Sequence, residues 1–500
     1  MSTLLSRRSF TLDDHASFAR IAGDFNPVHV DAVRARREYF GTVVVHGIHT
    51  VLVALDGLAD RLRQRGVEAI RIDGLRVEFP APVAPGQTVV TEVVSWALGE
   101  GAARLEQRCE GRRVTRIDLR WSREVEPPGA GGGAESDGWE PGDPDDRGFE
   151  ELEGVSGTTP LRIDEQAVRR RFGSLLEVVP ARDVAQLLAV SRVVGMHCPG
   201  LRSMLSTVEL EASPGVAPED RVEFRTVGVD ERFSLVTVEL VGPTLRGTAR
   251  AFYRPGLRRQ PSFQTVRTLV RPDRFEGQSA LVIGGSRGLG EVTAKLLAAG
   301  GARVAVTWLR GEEDARRVVE EITSAGGWAR AARLDVADPA PGLEEIASGD
   351  GLRPTHLYYY ASPKIFVARS APFDPDLFRG FCAAYVDGFH RTVRASRRLW
   401  EGNLVVLYPS TVALSERVRA LAEYAAAKAA GEDLARHLTR FEPGVRVEIE
   451  RLPRIETDQT ATLTPVPGAE ADRTLLPVLE RLHPADAPAD PRVSGDPASG

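Results

Sequence analysis

Residues 21 to 31 read Ile-Ala-Gly-Asp-Phe-Asn-Pro-Val-His-Val-Asp, and Phe40-Gly41 and Val44-Val45-His46-Gly47 follow. Asp24 and His29 thus bring a carboxyl and an imidazole to one short segment. Adding water across an α,β-unsaturated thioester, or removing it, needs one group that handles the water and another that exchanges the C2 proton. A paired carboxyl and imidazole can supply both near neutral pH. Charge that develops on the thioester oxygen needs a fixed donor, and the backbone N–H of Gly47, at a helix start with no side chain to block approach, can serve. Taken singly, Asn26-Pro27 is a common loop former and an aspartate there could simply cap a helix. The whole ordered string, with an apolar helix and strands behind it, points to a site.

A second constellation lies far downstream. Leu281-Val282-Ile283 runs into Gly284-Gly285-Ser286-Arg287-Gly288-Leu289-Gly290, a glycine-rich turn between an apolar strand and a helix, where a pyrophosphate could sit on the helix N-terminus. The next strand ends in Thr307-Trp308-Leu309-Arg310, without the carboxylate that would accept the ribose hydroxyls of NAD(H). Arg287 and Arg310 offer guanidinium groups to a phosphate instead, which favours NADP(H), and Asp335 would face the adenine. Tyr424 and Lys428 stand at i and i+4 on one helical face, and Ser410 precedes Tyr424 at a strand end. A phenol whose acidity a neighbouring ammonium raises can donate the proton that a carbonyl reduction requires. Lysine occurs only at Lys295, Lys364 and Lys428 in an otherwise arginine-based chain, so Lys428 is expected to be held by a need that arginine's planar group cannot meet.

The elements that must carry these groups fall into blocks. Five hundred residues exceed one ordinary core. The first block, residues 1–125, reads as a helix over 14–22, a long apolar helix over about 47–63, and alternating strands over 69–79 and 88–98. Residues 126–156, rich in glycine, proline and acid, read as a flexible linker. The block 157–260 repeats the scheme, with a helix near 184–194 and strands near 206–210, 221–229, 234–241 and 244–253. Residues 276–464 alternate strand and helix as βαβ units around a parallel sheet do. The tail, 465–500, reads as mostly disordered apart from an amphipathic piece at 475–482.

Net charge of −6 leaves no basic face for nucleic acid, and no apolar run reaches the ~20 residues a membrane helix needs. Cys109, Cys198 and Cys382 lie far apart and match no metal or disulfide spacing, which suits the cytoplasm. Ser6-Arg7-Arg8-Ser9-Phe10 resembles a twin-arginine export signal, but Asp13 and Asp14 fall where the apolar stretch should be.

The string from Asp24 to Gly47 resembles the MaoC-like, R-specific enoyl-thioester hydratases of the hot-dog fold over about residues 8–123. That resemblance implies that Asp24 and His29 are catalytic, that Asn26 fixes the loop, that Gly47 contributes the oxyanion donor, and that the sheet wraps the helix after His46. The block 157–260 lacks the motif. It resembles a degenerate second hot-dog half that completes an acyl tunnel, with His197 and Cys198 structural. Residues 278 to about 460 resemble the short-chain dehydrogenase/reductases, a Rossmann fold. This implies Tyr424 as acid/base, Lys428 on the ribose and Ser410 on the carbonyl. The family's Asn-Ala-Gly is replaced here by Tyr360-Ala361-Ser362-Pro363-Lys364, its tetrad asparagine by Tyr385, and its Pro-Gly by Pro453-Arg454, while Thr457 is kept.

The expected fold class is therefore multidomain α+β and α/β: two hot-dog domains, then a Rossmann-type domain. The expected function is NADPH-dependent reduction of a 3-ketoacyl thioester joined to (3R)-hydroxyacyl dehydration, on coenzyme A or an acyl carrier protein, without nucleic acid or membrane. A dehydratase with an inactive nucleotide-binding domain, and a non-catalytic thioester- or carrier-binding component, are the alternatives. The presence of both Asp24 and His29 speaks against the latter. Acyl length, pathway direction and oligomeric state are not specified by fold or motif.

Overall fold

The computed structural model describes residues 3–123, 134–135, 138–213, 220–256, 258–349, 351–365, 373–460, 462 and 466–483. The chain divides into two compact units. One comprises residues 1–256 with 462–465, the other 257–461 with 466–500.

The first unit is built on one ten-stranded antiparallel sheet. Its strands are β1 (Thr3–Ser9), β2 (Ile70–Glu78), β3 (Thr88–Ala97), β4 (Ala102–Cys109), β5 (Arg112–Arg123), β6 (Ser156–Pro160), β7 (Ser203–Ala212), β8 (Arg221–Asp230), β9 (Leu235–Val241) and β10 (Leu245–Tyr253). They lie in the order β1-β3-β4-β5-β2-β7-β10-β9-β8-β6. Read from each edge inward, the second five strands repeat the order of the first five. The seam is the antiparallel pairing of Gly74–Glu78 with Thr207–Glu211. In β2, Ile70, Ile72, Leu75 and Val77 are buried while Arg71 and Arg76 are exposed, and a register irregularity between Ile72 and Gly74 explains the break in strict alternation.

Helix α1 (Leu12–Ala22) starts in a reciprocal capping box: Thr11 Oγ1 accepts from the Asp14 amide, and the Asp14 carboxylate accepts from the Thr11 amide. It ends at Gly23 in the left-handed region, φ +70°. Helices α2 (Gly47–Arg63) and α3 (Ala181–Arg192) are the long helix of each half. Ile48, Val51, Leu52, Leu55 and Leu58 of α2 share a core with Val184, Leu187, Leu188 and Ala189 of α3.

The second half of the expected linker is ordered and packed rather than flexible. Residues 138–156 lie among the described residues, the Trp139 amide donates to Arg20 O at 2.8 Å, and Leu152 is fully buried. Residues 124–133 and 136–137, which hold the glycine run, lie outside the described residues.

The second unit is a six-stranded, all-parallel sheet: β11 (Ser279–Ile283), β12 (Arg303–Trp308), β13 (Trp328–Arg333), β14 (His356–Tyr359), β15 (Leu404–Thr411) and β16 (Val445–Leu452). Their order, β13-β12-β11-β14-β15-β16, is the doubly wound arrangement, which places the carboxyl ends of β11 and β14 at the switch point where ligands bind. Helices α4 (Gly288–Ala299) and α5 (Ala422–Phe441) carry the motif residues. Within the tail the amphipathic piece forms α6 (Ala471–Leu482), with Leu475, Val478, Leu479 and Leu482 buried in the same core as Leu296 and Leu297 of α4. Residues 484–500 lie outside the described residues. No helix among the described residues is long and apolar enough to cross a membrane.

Candidate active sites

In the first unit, the left-handed turn at Gly23 ends α1 and delivers Asp24 into the interior, 2% exposed. Asp24 Oδ2 accepts from Ser191 Oγ at 2.7 Å and Oδ1 from the Asn26 amide at 3.2 Å. Asn26 is fully buried, and its Nδ2 donates to Gly195 O and Gly200 O at 3.0 Å, tying the loop to the second half. His29 Nδ1 faces Val44 O at 2.8 Å. A carbonyl only accepts, so Nδ1 carries the proton and Nε2 keeps its lone pair. His46 stacks on His29, with centroids 3.9 Å apart, and its Nε2 donates to Asp24 O at 3.0 Å. The acid, His29 and His46 present polar atoms within 4.8 Å of one another.

Burial sets the protonation of this group. It raises the Asp24 carboxyl, opposed by the charge of His29, and lowers the His29 imidazole, opposed by Asp24. It holds His46 well below its usual value. Burial thus works against charge on both groups, and their mutual attraction works for it. Gly47 opens α2, so its amide stands at a helix N-terminus, and a Cβ there would meet the Phe79 ring at 3.0 Å, a tight contact that would push the ring by a few tenths of an ångström.

The motif did not disclose the second half's contribution. A Cβ on Gly195 would lie 2.2 Å from Asp24 Oδ1, so the carboxyl packs directly on that backbone. Ser191, Arg192 and Gly195 lie about 170 residues from Asp24 and carry no local signal of this contact. His197 stacks on Phe224, and Cys198 Sγ bonds the Thr226 hydroxyl while burial pushes its thiol up, so the two do not form a nucleophile–base pair.

In the second unit, Gly284 has φ +74° and its amide donates to Thr307 Oγ1 at 3.1 Å. A Cβ on Gly290 would lie 2.3 Å from Gly284 O, so only glycine lets α4 approach the turn. Ser286, Gly288 and Leu289 complete that turn and the first turn of α4. Arg310 is exposed just past β12, whereas Arg287, at the N-cap of α4, is 3.5 Å from the Asp458 carboxylate. Asp335 follows β13, exposed, with Oδ1 accepting from the Ala337 amide. The bare turn at a helix N-terminus, with exposed Arg310 at the ribose end, fits a dinucleotide carrying an extra phosphate.

Tyr424 and Lys428 both lie on α5, with Lys428 Nζ 5.9 Å from the Tyr424 ring centroid, and Ser410 does not join them. Neighbouring strand residues point to opposite faces. Ser410 Oγ donates to Glu432 at 2.6 Å, a carboxylate also held by Arg451, while the adjacent Thr411 side chain hydrogen-bonds Tyr424. Thr411 is therefore the hydroxyl beside the phenol. Burial pushes Tyr424 up to about 12 and Lys428 down to about 7. Lys428 Nζ donates to Pro409 O at 2.6 Å and lies 4.0 Å from the Tyr385 ring centroid. Tyr385 sits in a π-helical turn, Ala383–Gly388, with its hydroxyl 2.6 Å from Ser362 Oγ.

Lys295 is a structural lysine, buried between Glu291 and Glu321 at 2.8 Å from each.

Residues 3–111 match the family described as MaoC like domain, and residues 278–344 match short chain dehydrogenase. The chain thus carries a MaoC-like domain at its N-terminus and a short-chain dehydrogenase/reductase domain later. Among curated proteins it is 28% identical to the cyclic-di-GMP-binding biofilm dispersal mediator protein of Escherichia coli K12, over 37% of this chain and 76% of that one. It is 30% identical to the peroxisomal hydratase-dehydrogenase-epimerase of Neurospora crassa, over 18% of this chain and 9% of that much longer protein. A solved short chain dehydrogenase from Burkholderia cenocepacia J2315, in complex with NADP, is 28% identical, with a TM-score of 0.36, over 42% of this chain and 92% of that one.

Proposed function

We propose that the chain is a bifunctional acyl-thioester enzyme of the cytoplasm, reducing a 3-ketoacyl thioester with NADPH and dehydrating the (3R)-hydroxyacyl product to the trans-2-enoyl thioester. The observation that carries the reading is the gathering of Asp24 and His29, whose polar atoms lie within 4.8 Å of each other and of His46, the residue before the helix that Gly47 opens. For dehydration, His29 Nε2 takes the C2 proton, and the Gly47 amide, at the positive end of α2, stabilises the enolate oxygen. The Asp24 carboxyl protonates the departing hydroxyl, and the proton on His29 returns to Asp24 to reset the pair. Hydration runs the same transfers backward.

In the second unit the turn 284–290 would hold the pyrophosphate, and Arg310 and Arg287 the extra phosphate; bound there, the nicotinamide supplies hydride. Thr411 and Tyr424 hydrogen-bond the carbonyl oxygen, and Tyr424 donates its proton to the alkoxide. Lys428, fixed by Pro409 O and the Tyr385 face, supports the phenolate that remains. We assign the resupply of protons to the hydrogen-bonded hydroxyls of Tyr385 and Ser362. We read residues 157–260 as a second hot-dog half because its strand order repeats the first.

The test is a short 3-ketoacyl thioester with NADPH, following cofactor absorbance and product mass. Oxidation with loss of water, stalling at the hydroxyacyl stage in Asp24→Asn, supports the reading. NADPH left untouched by every 3-ketoacyl thioester, or no interconversion of hydroxyacyl and enoyl thioesters, overturns the corresponding half.

A further inference from the structure

Three C-terminal carbonyls of α1 bear on where Asp24 sits. The first, Ala19 O, is satisfied by the Gly23 amide at 2.7 Å within the helix's own turn. The other two are satisfied from elsewhere in the chain. Arg20 O accepts from the Trp139 amide at 2.8 Å, and Ala22 O accepts from Arg192 Nη1 at 3.2 Å. The two donors are themselves joined, since the Arg192 guanidinium lies 3.9 Å from the centroid of the Trp139 ring. Both pack on Gly23, where a Cβ would be 2.8 Å from Arg192 Cδ and from the Trp139 indole. Arg192 is 3% exposed and is held in turn by Thr159 Oγ1 at 2.6 Å and by Pro160 O. Its neighbour Ser191 donates to the Asp24 carboxyl.

We propose that Trp139 and Arg192 form a clamp that fixes the catalytic loop: the segment joining the halves docks its indole on the guanidinium, and together they cap α1 so that Asp24 enters the site at one position. The proposal deepens the dehydratase reading given above and rests on it for its kinetic consequence. Neither residue touches the reacting atoms; both are positioning residues. The cost of losing the clamp follows from how steeply acid–base transfer depends on placement, since about 1 Å of misplacement can cost about 10²-fold in rate. A guanidinium stacked on an indole also resists substitution by a shorter or non-planar cation.

The experiment uses the full chain with Trp139→Ala, Trp139→Phe and Arg192→Lys, measuring enoyl-thioester hydration as kcat and KM across pH, melting temperature, and hydrogen exchange of the amides of residues 20–30 against those of residues 279–299. Trp139→Ala is expected to lower kcat for hydration about 10²-fold with KM within about twofold. Its acid limb should move to higher pH, because the cation that favours ionised Asp24 is no longer held in place. Exchange over 20–30 should quicken while 279–299 stays unchanged. Trp139→Phe, which keeps an aromatic face, should recover most of kcat, and Arg192→Lys should fall with Trp139→Ala. Unchanged kcat, pH limb and exchange in Trp139→Ala would overturn the clamp, as would a loss in Trp139→Phe equal to that in Trp139→Ala. If wild-type protein interconverts no enoyl thioester, the dehydratase reading fails by itself, and the exchange comparison still decides whether the clamp exists. If Trp139→Ala melts below the assay temperature, the clamp is judged on Trp139→Phe and Arg192→Lys, which remove fewer atoms from the packed site.

Discussion

Replacing Gly195 by alanine tests whether the second half shapes the dehydratase centre. The added methyl would lie 2.2 Å from Asp24 Oδ1 and 2.5 Å from its Cγ, about 1.2 Å short of ordinary contact at 3.4 Å. Something must yield. Gly195 has no positive φ, so alanine fits its backbone, and in a helical turn it gains up to about 1 kcal/mol over glycine. Overpacking costs about 1–3 kcal/mol, so the net effect on stability is small, about 0–2 kcal/mol. The carboxyl can move only by leaving Ser191 and the Asn26 amide, its hydrogen-bond partners, and a shift of about 1 Å predicts about 10²-fold lower kcat, or about 2.7 kcal/mol of barrier. The assay follows loss of the conjugated enoyl thioester in purified full-length protein, with the melting temperature measured in parallel and ketoacyl reduction as an internal control. A Gly195→Ala protein that hydrates at the wild-type rate would refute the reasoning. So would one whose loss of rate is matched by an equal loss in reduction, since that reports general damage.

Thr411→Val should abolish most ketoacyl reduction while leaving NADPH binding intact. Ser410→Ala, which only removes one of several partners of Glu432, should retain far more; steady-state kinetics of the two variants side by side decides it. Arg310→Glu should weaken NADPH binding by about tenfold or more and NADH binding much less, read from nucleotide fluorescence without turnover. Lys428 gives a stability signature. Its folded value is about 7 and its ordinary value 10.5, so between these the unfolded chain binds a proton that the folded chain lacks, and the group's contribution to stability rises with pH across that window. Below pH 7 the penalty for charging the buried amine is full; above 10.5 it is gone. The melting temperature of cofactor-free wild type should therefore rise relative to Lys428→Met as pH increases from 7 to 10, and parallel curves would contradict the buried amine.

Features packed into contiguous strings are legible in the sequence alone. The order from Asp24 through His29 to Gly47 is a loop followed by a helix start, and the turn 284–290 is read from its flanking strand and helix. The amphipathic piece at 475–482 is also visible there, because Leu475, Val478, Leu479 and Leu482 follow the period of one helical face, whereas the first turn of that helix, from Ala471, carries no such signal. What the chain conceals depends on chirality or distance. Ser410 and Thr411 are one residue apart, and strand alternation, which spacing to Tyr424 does not encode, decides which of them meets the phenol. Ser191, Arg192 and Gly195 act on Asp24 across an intervening sheet and helix, and such pairings have no local period. Composition makes residues 126–156 look like a spacer. Trp139 is the signal to the contrary, since an indole in a polar stretch loses more by staying in water than by docking.

The seam between Gly74–Glu78 and Thr207–Glu211 makes the two halves one sheet on one chain. An active centre whose acid is gripped by a separate subunit weakens on dilution, because the grip is lost when the subunits part. Here the gripping half cannot leave. The hydratase rate per molecule should therefore stay constant down to the lowest concentration that can be assayed, and the second half is free to lose its own chemistry so long as it keeps the shape that holds Asp24.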